Sequence, residues 1–87
     1  MKFTEQQRKT AIKAIENVAI FDPNKVAIND DTNLVEEFGL DSLDVVELTL
    51  ELEKKFNIII SDDDIERIKT FSDLERVVLS SPTKKTE

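Results

Sequence analysis

Eighty-seven residues carry a net charge of −7, with 39% hydrophobic and 36% charged side chains and neither cysteine nor histidine. That length allows one small domain and no multi-layer enzyme cleft, and the missing residue types exclude disulfides, thiolate nucleophiles, Ser-His-Asp triads and ordinary zinc or haem sites. The acidic field repels nucleic acid and anionic lipid, and no apolar run reaches the roughly 18–20 residues of a bilayer span, so a soluble chain with no nucleic acid partner and no membrane span is expected, in the cytoplasm or, after removal of a transit segment, in an organelle.

The chain opens on a helix. Thr4 followed by Gln7 has the form of a capping box, and Ala11, Ile12, Ile15, Val18 and Ala19 recur at helical spacing, which predicts a first helix from Thr4 to about Ala19. Phe21-Asp-Pro-Asn24 stops it, because Pro23 has no N–H to donate and biases Asp22 away from helical backbone. A connection of about twenty residues follows, longer than a small domain usually carries. Its Val26, Ile28, Leu34, Val35, Phe38 and Leu40 pin it to the core, and Leu34 to Phe38 fits one helical turn. Gly39, the only glycine, marks a backbone conformation that other residues resist.

Asp41, with Asp44 three residues on, is a good N-cap, and Ser42 to Phe56 contains neither Gly nor Pro, which predicts the second helix. Asn57 to Ile60 reads as a buried connection. Ser61 with Asp64 caps a short third helix through about Ile68, and Ser72 with Glu75 has the S-x-x-E form that opens a last helix through about Leu79. Residues 81–87 are polar and include Pro82, so a disordered tail is expected after a domain of residues 1–80. The fold class is therefore all-α: a small four-helix bundle of three longer helices and one short one, with a long first loop. Asp62-Asp-Asp64 lacks the alternation, central glycine and distal glutamate of a calcium loop, and no metal site is expected.

Charge is unevenly spread. Residues 36–66 hold eleven acids and two bases, so the middle third is at −9 while the flanks are neutral or slightly basic. Within it the second helix carries two apolar stripes. At about 100° per residue, Val45, Leu48, Leu52 and Phe56 form one face suited to a core, and Leu43, Val46 and Leu50 lie roughly opposite. A helix that also holds Asp44, Glu47, Glu51, Glu53, Lys54 and Lys55 keeps much of its circumference wet. Leu43, Val46 and Leu50 therefore read as a docking stripe rimmed by acids, with apolar contact supplying affinity and the rim supplying orientation and on-rate.

Ser42 stands at the first turn of that helix, where backbone N–H groups lack intrahelical partners and an anion is favoured. A phosphate ester on its hydroxyl would meet free amides. Without a histidine base Ser42 is a poor nucleophile, so another protein would have to modify it.

Gly39-Leu-Asp-Ser-Leu-Asp44, followed by Val-Val-Glu-Leu at 45–48, resembles the attachment motif of the acyl carrier proteins, and the likeness extends over all but the carboxyl tail. The resemblance implies a carrier and not an enzyme. On it, Ser42 is esterified by 4'-phosphopantetheine from coenzyme A through a phosphopantetheinyl transferase, and Asp41 helps that transferase position its substrate and magnesium ion. Leu43, Asp44, Val46, Glu47, Leu50 and Glu53 form the partner face. The implied function is to hold growing fatty acyl chains as thioesters and deliver them to fatty acid synthesis enzymes with basic docking patches, as a monomer. A small cavity lined by residues such as Leu48, Leu52, Ile60, Ile65 and Ile68 would shield the chain, although the same residues serve first as core. Lys54 and Lys55 depart from the more acidic family pattern, which bears on partner preference. A D-alanyl, polyketide or peptidyl carrier, or a cofactor-free acidic interaction module, are the alternatives.

Overall fold

Short polar side chains decide where the helices begin. In the computed structural model, which describes residues 2–22 and 24–84, Thr4, Asn33, Asp41, Ser61 and Thr70 each accept a hydrogen bond from the backbone N–H three residues on. Each satisfies one of the donors that a helix start leaves free. The helices they open are α1 (Glu5–Val18), α2 (Leu34–Phe38), α3 (Ser42–Phe56), α4 (Asp62–Arg67) and α5 (Phe71–Ser80). Thus α1, α3 and α5 are the three longer helices, α4 is the short one, and α2 is the single turn inside the long loop.

The ends are also set by single residues. Gly39 lies in left-handed backbone at φ 62° and closes α2, with the N–H of Leu40 returning to the carbonyl of Val35 at 3.0 Å. Asn57 at φ 56° closes α3, a conformation that asparagine tolerates better than most residues. Both turns reset the chain direction on either side of α3.

α1 packs against α3, with α5 completing the core. Ala11, Ala14 and Ile15 of α1 meet Leu48 and Leu52 of α3 and Phe71, Leu74, Val77 and Val78 of α5, all buried. The connections contribute Leu34, Leu40, Ile58, Ile60 and Ile68. Small side chains on α1 let it approach closely, and the leucines and phenylalanine fill the volume left over.

Three expectations meet a different structure. α5 begins at Phe71 under a Thr70–Asp73 capping box, two residues before the Ser72–Glu75 pair. Glu75 is instead buried and accepts from the backbone N–H of Phe3 at 2.8 Å, a bond no local pattern reveals. The 57–60 connection is only half inside, since Ile58 and Ile60 are buried but Ile59 is 51% exposed. The chain past α5 does not fray at residue 81: Ile59 donates to the Pro82 carbonyl and Lys84 to the Asn57 carbonyl, both at 2.9 Å, and Thr83 bridges Ile58. The remainder of the expected tail, 85–87, lies outside the described residues.

Candidate functional site

Helix α3 carries the site because its cap frees its first side chain. Asp41 does the capping, with its carboxylate accepting from the Asp44 N–H at 2.9 Å while the Asp44 carboxylate accepts from the Asp41 N–H at 3.1 Å. Ser42, the next residue, is exposed, and among the described residues neither its hydroxyl nor the N–H groups of Ser42 and Leu43 have a hydrogen-bond partner. A serine that needed its hydroxyl to hold the helix would not be spare. This one faces solvent above two free amides at the positive end of a 15-residue helix.

Beside Ser42 a cleft of about 690 Å³ opens between the start of α3 and the length of α4 with the residues just after it. Val35, Leu40, Val45, Val46, Ile65 and Ile68 give it apolar walls, and Asp41, Ser42, Asp62, Glu66 and Lys69 its polar rim. α4 contributes no fully buried residue, and half-buried Ile65 is its apolar contact with the core. Of the cavity candidates, Ile65 and Ile68 line the cleft. Leu48, Leu52 and Ile60 are core.

The outer face of α3 follows the second stripe. Leu43 is 65% exposed, Val46 40% and Leu50 56%, while Leu48 and Leu52 on the opposite side are fully buried. Full burial of such a side chain is worth about 1.5–3 kcal/mol, so the domain leaves that gain for a partner to realise. Glu47 is exposed among them. Two further residues of the expected partner face have other duties. Asp44 is half-buried in the capping box, and the Glu53 carboxylate accepts from the Ile60 N–H at 2.9 Å, tying α3 to the connection after it.

The far side of the cleft is not legible in the sequence. Val35 and Leu40 read as anchors of the loop, but Asp62, Glu66 and Lys69 carry no local signal of a cleft, because the cleft joins segments distant along the chain. Among the described residues, no helix is long and apolar enough to cross a membrane, and no group of three or more acids gathers as a metal site.

Residues 10–78 match the family model described as a phosphopantetheine attachment site. The chain is 46% identical over 55 residues to the acyl carrier protein of Wolinella succinogenes, covering 63% of this chain and 72% of that one. It is 52% identical over 46 residues to the acyl carrier protein of a Sulfurovum species, covering 53% and 61%, and 45% identical over 51 residues to that of Syntrophobacter fumaroxidans, covering 59% and 63%.

Proposed function

The chain belongs to the acyl carrier proteins, the family of the phosphopantetheine attachment site, and from that premise we propose that Ser42 bears the group and that residues 1–80, together with the 82–84 run that pairs with 57–59, form a carrier domain for fatty acid synthesis. The observation that carries the assignment to Ser42 is its spare, exposed hydroxyl at the start of α3, beside the cleft. When attached, 4'-phosphopantetheine supplies a flexible arm ending in a thiol, which can hold an acyl group as a thioester and which this cysteine-free chain lacks. The protein's own residues do the rest.

Asp41 fixes the first turn of α3 and so presents the hydroxyl to the transferase; its side chain stands beside Ser42 at the rim, suited to assist that enzyme's magnesium and substrate. The free amides of Ser42 and Leu43 favour the anionic ester over the free hydroxyl. Leu43, Val46 and Leu50 offer an apolar ridge, with Glu47 as the exposed acid on it, to the basic docking patches of fatty acid synthesis enzymes. Asp44 and Glu53 support that face from within the helix. A tether raises the local concentration of its cargo to the order of millimolar at whichever enzyme is docked, so weak and rapidly reversed docking suffices. The same reading takes the protein to be a cytoplasmic monomer.

Intact mass tests it. Incubation with coenzyme A and a phosphopantetheinyl transferase should add the mass of one phosphopantetheinyl group, and Ser42→Ala should abolish the gain while leaving the helical circular dichroism unchanged. Modification that persists in Ser42→Ala, or no gain under conditions that load another carrier, overturns the assignment.

A further inference from the structure

Beyond the free amides at the start of α3, the side chains around the cleft beside Ser42 are unwelcoming to an anion, with one exception. Of the residues that line it, Asp41, Asp62 and Glu66 are acids and Lys69 is the sole base. A phosphodiester on Ser42 adds another negative charge, so the electrostatics of the rim would push it outward unless Lys69 answers it. Lys69 is free to do so: among the described residues its ammonium forms no ion pair, even with Glu66 three residues away. Its backbone, by contrast, is fixed on both sides. The Lys69 N–H donates to the Asp73 carboxylate at 3.2 Å, and its carbonyl accepts from the Leu34 N–H at 2.7 Å. The next residue, Thr70, caps α5 and bridges Asn33. A long, exposed cationic side chain is thus rooted at a rigid point on the cleft wall.

We infer that Lys69 is a positioning residue for the arm, an unpaired cation that draws the phosphodiester on Ser42 across the cleft toward the apolar wall of Val35, Leu40 and Ile68 and away from the acids of α4. This rests on the assignment of the group to Ser42. The contribution is that of a solvent-exposed charge pair, so it biases the arm's position by roughly two- to fivefold and does not lock it. Such a bias suits a carrier whose arm must leave the cleft at each enzyme.

The test uses the loaded protein, verified by intact mass, with Lys69, Lys69→Arg, Lys69→Met and Lys69→Glu compared by phosphorus NMR and by proton contacts between the arm's geminal methyl groups and the methyl groups of Val35, Leu40 and Ile68. Wild type and Lys69→Arg should share a phosphorus resonance and strong contacts, Lys69→Met should lose roughly half to four-fifths of the contact intensity, and Lys69→Glu more. Raising salt to about 1 M should bring wild type down to the Lys69→Met level, a comparison that needs no folded variant. Equal contacts and phosphorus shifts in all four proteins, or contacts insensitive to salt in wild type, overturn the inference. Failure to gain the mass on Ser42 instead strikes the assignment on which it rests.

Discussion

Asp73 shows how one carboxylate can serve the fold through its charge. Its Oδ2 accepts from the N–H groups of Lys69 at 3.2 Å and Thr70 at 3.0 Å, and the Arg76 guanidinium stands 3.5 Å from Oδ1. Burial pushes the Asp73 carboxyl up, but the Thr70 and Lys69 donors together with Arg76 outweigh it and hold the group below the ordinary aspartate value of 3.8. The folded protein therefore binds this proton less readily than the unfolded chain does. The stabilisation is complete above the ordinary value and is lost as pH falls through the lowered one. Asp73→Ala should cost about 1 kcal/mol at neutral pH, as removal of a capping partner does, and the gap from wild type should narrow toward about pH 3. Urea midpoints at the two pH values check this, and a gap independent of pH would show that the charge of Asp73 is immaterial.

Elements hold together through contacts that span most of the chain, and Glu75 is the clearest. Beneath its hydrogen bond to the Phe3 N–H, the Phe3 ring stacks on Phe56 with centroids 5.7 Å apart and meets Phe71 edge-on at 6.0 Å. The Arg8 guanidinium lies 4.6 Å from the Phe71 ring centroid. The segment before α1 is thereby clamped to the end of α3 and the start of α5. Glu75→Ala, which leaves the Phe3 donor without its partner, should cost about 1–3 kcal/mol, whereas Glu75→Gln retains an acceptor and should cost less. Urea unfolding separates them, and equal stability of the two variants would mean the bond is incidental. The same contact marks the boundary between what local sequence carries and what it does not. Caps are local, so the starts of α1, α3 and α4 were legible from Thr4, Asp41 and Ser61, and the docking stripe from periodicity and charge. At α5 the helix opens two residues before the Ser72–Glu75 pair that the sequence suggests, and Glu75 is engaged instead by a partner 72 positions away. The pairing of residues 82–84 with 57–59, and the cleft that joins Leu40, Ser42, Ile65 and Lys69, are equally long-range, and a helical period carries no record of them.

At the scale of the whole molecule, charge acts on stability and on docking with opposite signs. Residues 36–66 concentrate a net −9 in α2, α3, α4 and their links, and Asp41, Asp62 and Glu66 converge on one cleft, so the folded state repels itself. Against this stand the ion pairs of Asp30 with Lys2 and Arg8, of Lys2 with Glu75, and the i,i+3 pairs of Arg67 and Arg76. Each has at least one partner in solvent, a setting in which water and salt screen the attraction and a pair contributes little. Salt weakens both effects, shortening the Debye length from about 10 Å at 0.1 M to about 3 Å at 1 M. The repulsion, being summed over many more pairs, loses more, so the melting temperature should rise with sodium chloride, by about 4–8 °C for each 1 kcal/mol relieved. The acidic rim that steers basic partners is screened by the same ions, so the second-order rate of loading by the transferase should fall over that range. Calorimetry and intact-mass time courses on one preparation measure the two. A melting temperature that falls with salt would show that the ion pairs outweigh the crowded acids, and a loading rate indifferent to salt would remove charge from the docking of α3.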